Sequence, residues 1–416
     1  MTSNNEINSC YVFLDIGSSP IIVANYRLDQ GKYKFTYGQS YLSREDKFAL
    51  DPLNLAFTYP NTELVSDNSD GFGVLADATP DNWGKKLTLA RHTRHPKNQI
   101  EWFLAAKGTA VGALVGSLSR NTPKTISSQQ ITTVDELEAF FKLSVEVSQN
   151  GDVERLAELM ESDALAKLID YGSSMGGARP KTIVQDQGVE WIAKFNRSDD
   201  IFDNVLVEYA SMKIAKACGI NTSHVELREI GNNRQSLFVK RFDRNCPERK
   251  KHYISSRSLM NIRKIREADF ALNYSYMGIS KLCTKISNHA TENQTELFKR
   301  MVLNIMLANT DDHTKNHGFL LDHKAMSYDL SPVFDVLPHI GNSAKVHAIG
   351  LGDDGRVASM KNILSQCHSF GLSIDTANEI IKDISAVVEN WTDYMRDAGV
   401  KDTEIKLLEQ YISPSI

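Results

Sequence analysis

A polar loop set behind an apolar helix limits this chain more than any other feature. It runs Thr310-Asp311-Asp312-His313-Thr314-Lys315-Asn316 and is followed by Ser331-Pro332-Val333-Phe334-Asp335. Upstream, Phe298, Met301, Val302, Ile305 and Met306 recur at helical spacing, so a buried helix is expected to deliver Asp311 into the loop. Downstream, Phe319-Leu320-Leu321 reads as a strand, and a turn then presents Asp335. Phosphoryl transfer from a nucleotide needs this set of groups. One carboxylate orients the attacking hydroxyl, and an amide with a second carboxylate holds Mg²⁺. The same cluster can also be only a capped turn, so the rest of the chain has to decide.

A second polar stretch, Tyr171 to Lys181, holds Ser173, Ser174, Met175, Gly176, Gly177 and Ala178. Glycines let several backbone N–H groups aim at one point, which is how loops cradle phosphates, although most Gly-Ser loops bind nothing. Thr182–Gln185, the turn Asp186-Gln187-Gly188 and Val189–Phe195 then read as an antiparallel hairpin. On its second strand Trp191, Ala193 and Phe195 share one face, while Ile192 and Lys194 share the other. Lys194 is either a lysine that reaches solvent from a sheet edge or one that pairs with nucleotide phosphates. Residues 203–218 form an amphipathic helix with Val205, Tyr209, Met212 and Ala215 in register and Gly219 at its end. Glu208 on that helix is either solvated or the carboxylate that holds the lysine. Residues 235–243 return to strand, and Lys240, Arg241 and Phe242 would border an adenine mostly through backbone groups.

Elsewhere, strands are expected at 11–14, 21–24 and 33–37, a helix from about 79 to 106, a linker at 119–133, and helices at 134–143 and 153–169. A C-terminal helical tail from Ser373 carries the stripe Ile380, Ile384, Val387, Trp391 and Met395. Asp15-Ile16-Gly17-Ser18-Ser19 resembles the first phosphate loop of actin- and sugar-kinase-like ATPases over five residues only, so a hairpin turn is the expectation. A net charge of −5 argues against a surface coated for nucleic acid. Within 244–266, however, eight Lys/Arg face one acid, Glu248, which makes that stretch either a solvated loop or a dock for an anionic partner. Five scattered Cys without a CxxC pair fit a reducing compartment. With no signal-like start and no long apolar run, a cytoplasmic protein with no membrane contact is expected.

Seven segments taken together resemble the HipA family of bacterial serine/threonine kinases, toxins of toxin–antitoxin pairs. They are LDPLNLAF (50–57), LADATPDNWGKKL (75–87), SSMGGARPK (173–181), WIAKF (191–195), VKRFDR (239–244), ANTDDHTKN (308–316) and LSPVFDVLP (330–338), in the family's order. The resemblance implies an α+β, two-lobed, protein-kinase-like fold. It divides the chain into a β-rich N-terminal subdomain (1–118), a small lobe (134–243) and a mostly helical large lobe (244–416).

It also implies ATP and Mg²⁺, with Asp311 catalytic, Asn316 and Asp335 as metal ligands and Lys194 on the ATP phosphates. Met175 to Lys181 becomes the phosphate-facing loop and Lys240 to Phe242 the adenine hinge. Ser174 matches the family's autophosphorylated serine, with Ser173 as runner-up, and phosphate there would displace the loop and switch the kinase off. His313 follows the aspartates instead of preceding them. It reads as a hydrogen-bonding member of the nucleotide site, not a base, and Asp312 is the competitor for the catalytic role. Family substrates include aminoacyl-tRNA synthetases, and the usual partner is a small helix-turn-helix antitoxin through which DNA would be contacted. Two other readings stand: a non-catalytic corepressor working with such a partner, and a small-molecule or lipid kinase, because phosphoinositide kinases also place a His two residues after the Asp.

Overall fold

A computed structural model describes residues 6–59, 62–66, 68–91, 94–121, 123, 136–142, 177, 179–231, 234–246, 249–262, 265–341 and 346–415. Ser173, Ser174, Met175, Gly176 and Ala178, the helix expected at 153–169 and most of the 119–133 linker lie outside the described residues. The chain groups into two compact units, Met1–Ser198 with Glu229–Ile254, and Asp199–Arg228 with Ser255–Ile416.

The first unit begins with an antiparallel sheet of β1 (Ser9–Leu14), β2 (Ile21–Asp29), β3 (Lys32–Tyr37), β4 (Leu64–Ser66) and β5 (Leu114–Ser117), in the order β4-β3-β2-β1-β5. Period-two alternation sets its inner face, for Tyr33, Phe35 and Tyr37 are buried while Lys32 and Lys34 are not. The Asp15 turn joins β1 to β2, and its carboxylate pairs with Lys250 at 2.7 Å. The helix expected from 79 to 106 is two: α1 (Asn82–Arg91) and α2 (Gln99–Ala105). Pro96 stops the pattern, and the Asn98 side chain starts it again by accepting the Glu101 N–H at 3.0 Å.

A second antiparallel sheet aligns β6 (Lys181–Asp186), β7 (Val189–Lys194) and β8 (Gln235–Lys240) in that order. Gln187 (φ +48°) and Gly188 (φ +79°) are both left-handed, as the tight turn between twisted strands requires. One face packs Val184, Trp191, Ala193 and Phe238 against Phe195, Leu137, Phe140 and Ile230, and Trp83 and Leu87 of α1 join the same core.

Just past β8 lies a buried ion cluster. Asp243 accepts from Arg241 Nε and Nη2 at 3.0 and 2.8 Å, from Arg244 Nη1 at 2.6 Å and from the Gly112 N–H at 2.7 Å. Arg241 also donates to the carbonyls of Thr109 and Ala110, and Arg244 to those of Ala110 and Gly112. Burial alone would raise the Asp243 pKa, yet the two guanidiniums hold it well below the usual carboxylate range. Of the basic stretch, Arg244 and Lys250 are therefore turned inward, Arg257 lies over the Tyr274 ring at 5.5 Å, and Arg266 pairs with Asp269.

In the second unit α3 (Asn204–Ala217) starts at Asp203, which accepts the Leu206 N–H at 3.0 Å, and ends before Gly219 (φ +69°). It buries more than one stripe, since Val207, Ala210 and Ile214 join Val205, Met212 and Ala215 while Tyr209 is only half-buried. Helices α4 (Tyr276–Ile286) and α5 (Ala290–Met306) pack together beside the hairpin β9 (Gly318–Asp322) and β10 (Ser327–Leu330). Leu297, Phe298, Met301 and Val302 of α5 are fully buried, each stabilising the fold by about 1.5–3 kcal/mol. The tail forms α6 (Ile374–Val388), α7 (Trp391–Asp397) and α8 (Asp402–Leu408). Its buried stripe is Ala377, Ile381, Ile384, Val388, Trp391 and Met395, a run of alternating four- and three-residue steps, with Ile380 and Val387 on its flank.

Removing the shared acceptor of the ion cluster should be costly, because two buried guanidiniums would lose their counter-charge. Asp243→Ala is expected to destabilise the protein by about 3–5 kcal/mol in urea unfolding; a loss below about 1 kcal/mol would contradict this reading of the cluster.

Candidate active site

The residues singled out from the sequence fall in both units, and each group has its own geometry. In the second unit α5 ends at Leu307, and Ala308 turns left-handed (φ +54°) to release the loop. Asn304 on the last turn of the helix anchors the loop. Its Oδ1 accepts from Asn309 Nδ2 at 3.0 Å, and its own Nδ2 donates to Asp312 Oδ2 at 2.9 Å. The same Asp312 oxygen accepts from His317 Nε2 at 2.8 Å and from the Tyr276 hydroxyl.

Asp312 is 4% exposed and commits its charge inward, whereas Asp311 next to it is exposed. Burial pushes the Asp312 pKa up, but the His317 ring, with the hydrogen bonds from His317 and Tyr276, brings it below its ordinary value. Of the two adjacent carboxylates, the geometry leaves Asp311 available to a substrate hydroxyl.

The loop closes by a turn in which the Asn316 N–H donates to the His313 carbonyl at 2.9 Å, so Asn316 stands in the same loop as Asp311. His313 is half-buried. Asn309 Nδ2 also reaches the Asp335 carbonyl at 3.5 Å, and Arg300 fixes the approach to Asp335 through the Ser331 carbonyl at 2.9 Å. Asp335 has φ +63°, a conformation that Asp tolerates better than most residues and that often marks a working position.

The Asn316 amide oxygen and the Asp335 carboxylate are hard donors of the kind Mg²⁺ takes when phosphates and water complete its shell. Among the described residues no group of three His, Cys, Asp or Glu is placed to hold a metal by itself. Glu208, on α3, is 3% exposed.

In the first unit Lys181 and Lys194 stand directly opposite each other on β6 and β7, and so on the same face, away from the Trp191 core. Both are buried, at 8% and 7% exposure. Two ammonium groups held on one face of a sheet form a focus for an anion. Gly177 bends over this point with φ +84°, a left-handed conformation that favours glycine, and a Cβ placed there would stand 2.7 Å from the mobile end of Lys181, Nζ.

Lys240 ends β8 exposed, and Phe242 lies 6.0 Å from the Tyr253 ring. The Arg241 N–H donates to the Glu190 carbonyl and its side chain is committed to the ion cluster, so only its carbonyl is left for a hinge role. Tyr276, Asn304 and His317 support the loop without any mark in the sequence that singles them out. No local pattern could have done so, since Tyr276 lies 36 positions from Asp312.

His347 also borders the loop region, for the next residue, Ala348, donates its N–H to the Thr310 carbonyl at 2.8 Å. It is 1% exposed, and among the described residues neither ring nitrogen has a hydrogen-bond partner. Burial lowers its pKa to about 4, against the opposing pull of Asp312. The unfolded chain therefore binds a proton that the folded one refuses between about pH 6.5 and 4. Stability should fall through that window by on the order of 3 kcal/mol and level off below it. Urea midpoints measured near neutrality and near pH 4.5 should differ less in His347→Leu than in the parent; an equal difference would contradict the assignment.

Comparison with known proteins fits this arrangement. The family model "HipA-like C-terminal domain" matches residues 173–391, just over half of the chain. A candidate kinase of Haemophilus influenzae is 30% identical over 149 residues, which is 33% of this chain and 43% of that protein. The serine/threonine-protein kinase toxin HipA of Shewanella oneidensis is 25% identical over 191 residues, 38% of this chain and 43% of the relative. The matched part thus spans less than half the length of these curated relatives. In three dimensions the chain superposes on the solved Shewanella oneidensis MR-1 complex of HipA, HipB and operator DNA with a TM-score of 0.67. That match has 16% identity and covers 96% of this chain and 95% of the other. The fold is α+β and kinase-like of the HipA type, and the chain belongs to the HipA-like family.

Proposed function

We propose that this protein is an ATP- and Mg²⁺-dependent serine/threonine protein kinase, acting as the toxin of a toxin–antitoxin pair. The observation that carries this reading is the division of labour between Asp311 and Asp312. A buried, triply hydrogen-bonded carboxylate fixes the loop, and the exposed one beside it is left to act. The opposed Lys181 and Lys194 under Gly177 supply the complementary feature, a basic point beneath a glycine turn.

In this scheme Asp311 orients a substrate Ser or Thr hydroxyl and takes up its proton as the phosphoryl group is transferred. Lys194 and Lys181 hold phosphate oxygens through their ammonium groups, and Glu208 is the carboxylate that would steady Lys194. Asn316 and Asp335 would hold Mg²⁺, which when bound neutralises charge on the phosphates. Lys240 to Phe242 would border the adenine through main-chain groups. His313 would add a hydrogen bond to the nucleotide, and the Gly-Ser loop from Ser174 to Ala178 would cover the phosphates.

Ser174 is the proposed self-modification site, with Ser173 next in line. An aminoacyl-tRNA synthetase is the protein substrate that the family resemblance suggests. The relative solved together with HipB and operator DNA favours a small DNA-binding antitoxin as partner. A second reading is a corepressor whose chemistry is dispensable, acting with a partner on DNA as that relative's complex with HipB and operator DNA suggests.

Intact mass and phosphopeptide mapping before and after incubation with Mg-ATP test both the activity and the switch. A gain of one phosphate on Ser174 or Ser173 is expected, absent from Lys194→Met and Asp335→Asn. A parent protein that neither arrives phosphorylated nor gains phosphate, with those variants retaining full partner and operator binding, would favour the corepressor.

A further inference from the structure

The N-terminal subdomain grips the second sheet at two separate places, and both are segments assigned above to the nucleotide. At the first, the Trp83 N–H at the start of α1 donates to the Gly177 carbonyl at 3.0 Å, and the Trp83 indole Nε1 donates to the Lys181 carbonyl at 3.0 Å. Asp81 Oδ2 accepts from the Gly177 N–H at a longer 3.4 Å. One residue, 98 positions before Lys181, thus holds both ends of the short segment from the glycine turn to the first lysine. Its ring is 2% exposed, in the same core as Trp191, Ala193 and Phe238. At the second place the loop Thr109–Gly112 is held by Arg241, Asp243 and Arg244, the residues just after β8.

We infer that the N-terminal subdomain is a working part of the nucleotide site, with Trp83 a positioning residue for Gly177 and Lys181, and the Asp243 cluster a positioning device for the Lys240–Phe242 hinge. The inference rests on the nucleotide reading of those segments. A glycine turn left to itself samples many conformations, and ordering it on binding reduces affinity. Here two carbonyls are tied to a rigid helix start before any ligand arrives. The Lys181 ammonium is set beside the turn, and the hinge backbone is fixed by buried guanidiniums. Both devices act on nucleotide affinity and not on the transfer step, because neither touches the Asp311 loop among the described residues.

Trp83→Phe keeps an aromatic ring in the core and the backbone N–H to Gly177, and loses the indole donor to Lys181 along with some buried ring volume, which the destabilised control accounts for. It is expected to raise the KM for ATP and the Kd of a fluorescent ATP analogue about five- to tenfold, with kcat within twofold of the parent. Val12→Ala, a core truncation in β1, serves as a destabilised control and should leave the KM unchanged. Should Trp83→Phe fail to fold, Arg244→Lys keeps the charge but cannot span the Gly112 and Ala110 carbonyls, and the same rise in KM is expected. An unchanged KM in the folded variant, with a parent that binds the analogue, would overturn the positioning role and leave the kinase reading intact. A parent that binds no nucleotide would overturn the kinase reading itself.

Discussion

The loop proposed to carry the chemistry depends on one buried carboxylate. Asp312 receives Tyr276, Asn304 and His317 on a single oxygen, and these donors come from α4, from the last turn of α5 and from the loop's own end. A buried charge satisfied in this way is difficult to displace, because moving any donor leaves the others with an uncompensated anion. The loop is therefore held by its interior, and Asp311 is exposed as a consequence. The left-handed Ala308 and Asp335 are tolerated in the same setting, since Asn309 ties the two segments together. Two adjacent aspartates of identical chemistry thus stand in different settings, Asp312 buried and hydrogen-bonded and Asp311 exposed.

The first unit, in the proposed scheme, meets a different need, that of holding positive charge in place for a ligand. Lys181 and Lys194 are directly opposed across two strands and so share one face of the sheet. The groups around them are arranged to keep this geometry. Gly177 takes a left-handed turn beside the Lys181 ammonium, the Ser236 hydroxyl donates to the Lys194 carbonyl at 2.7 Å, and Trp83 pins the neighbouring carbonyls. The buried arginines past β8 do the corresponding work at the other end of the sheet. Within the basic stretch 244–266, Arg244 and Lys250 serve the fold in this way, whereas the Arg266 side chain stays exposed.

Much of this was legible in the sequence, and the reason is local. Period-two alternation and the Asp186-Gln187-Gly188 turn defined the β6–β7 hairpin, and with it the face on which Lys194 stands. The helical spacing from Phe298 to Met306 placed the Asp311 loop at a helix end, where α5 stops. The failures are equally physical. Pattern alone carried one helix from 79 to 106 through Pro96, and only the Asn98 cap shows where the chain starts again. The tail stripe was set one residue off at Ile380 and Val387, because an aliphatic residue follows each of them and burial chose Ile381 and Val388. The supports of the site, Tyr276, Asn304, His317 and Trp83, were invisible for a different reason. Each acts through a contact that only the fold creates, and no spacing rule links such a donor to its acceptor.

The central claim is that Asp311, and not its buried neighbour, performs the transfer, and single-site kinetics with labelled ATP test it most directly. Asp311→Asn should keep the parent's melting temperature and lose phosphoryl transfer by about 10²–10⁴-fold, the range for removal of a general base. Asp311→Asn protein that transfers phosphate at the parent rate would contradict the assignment.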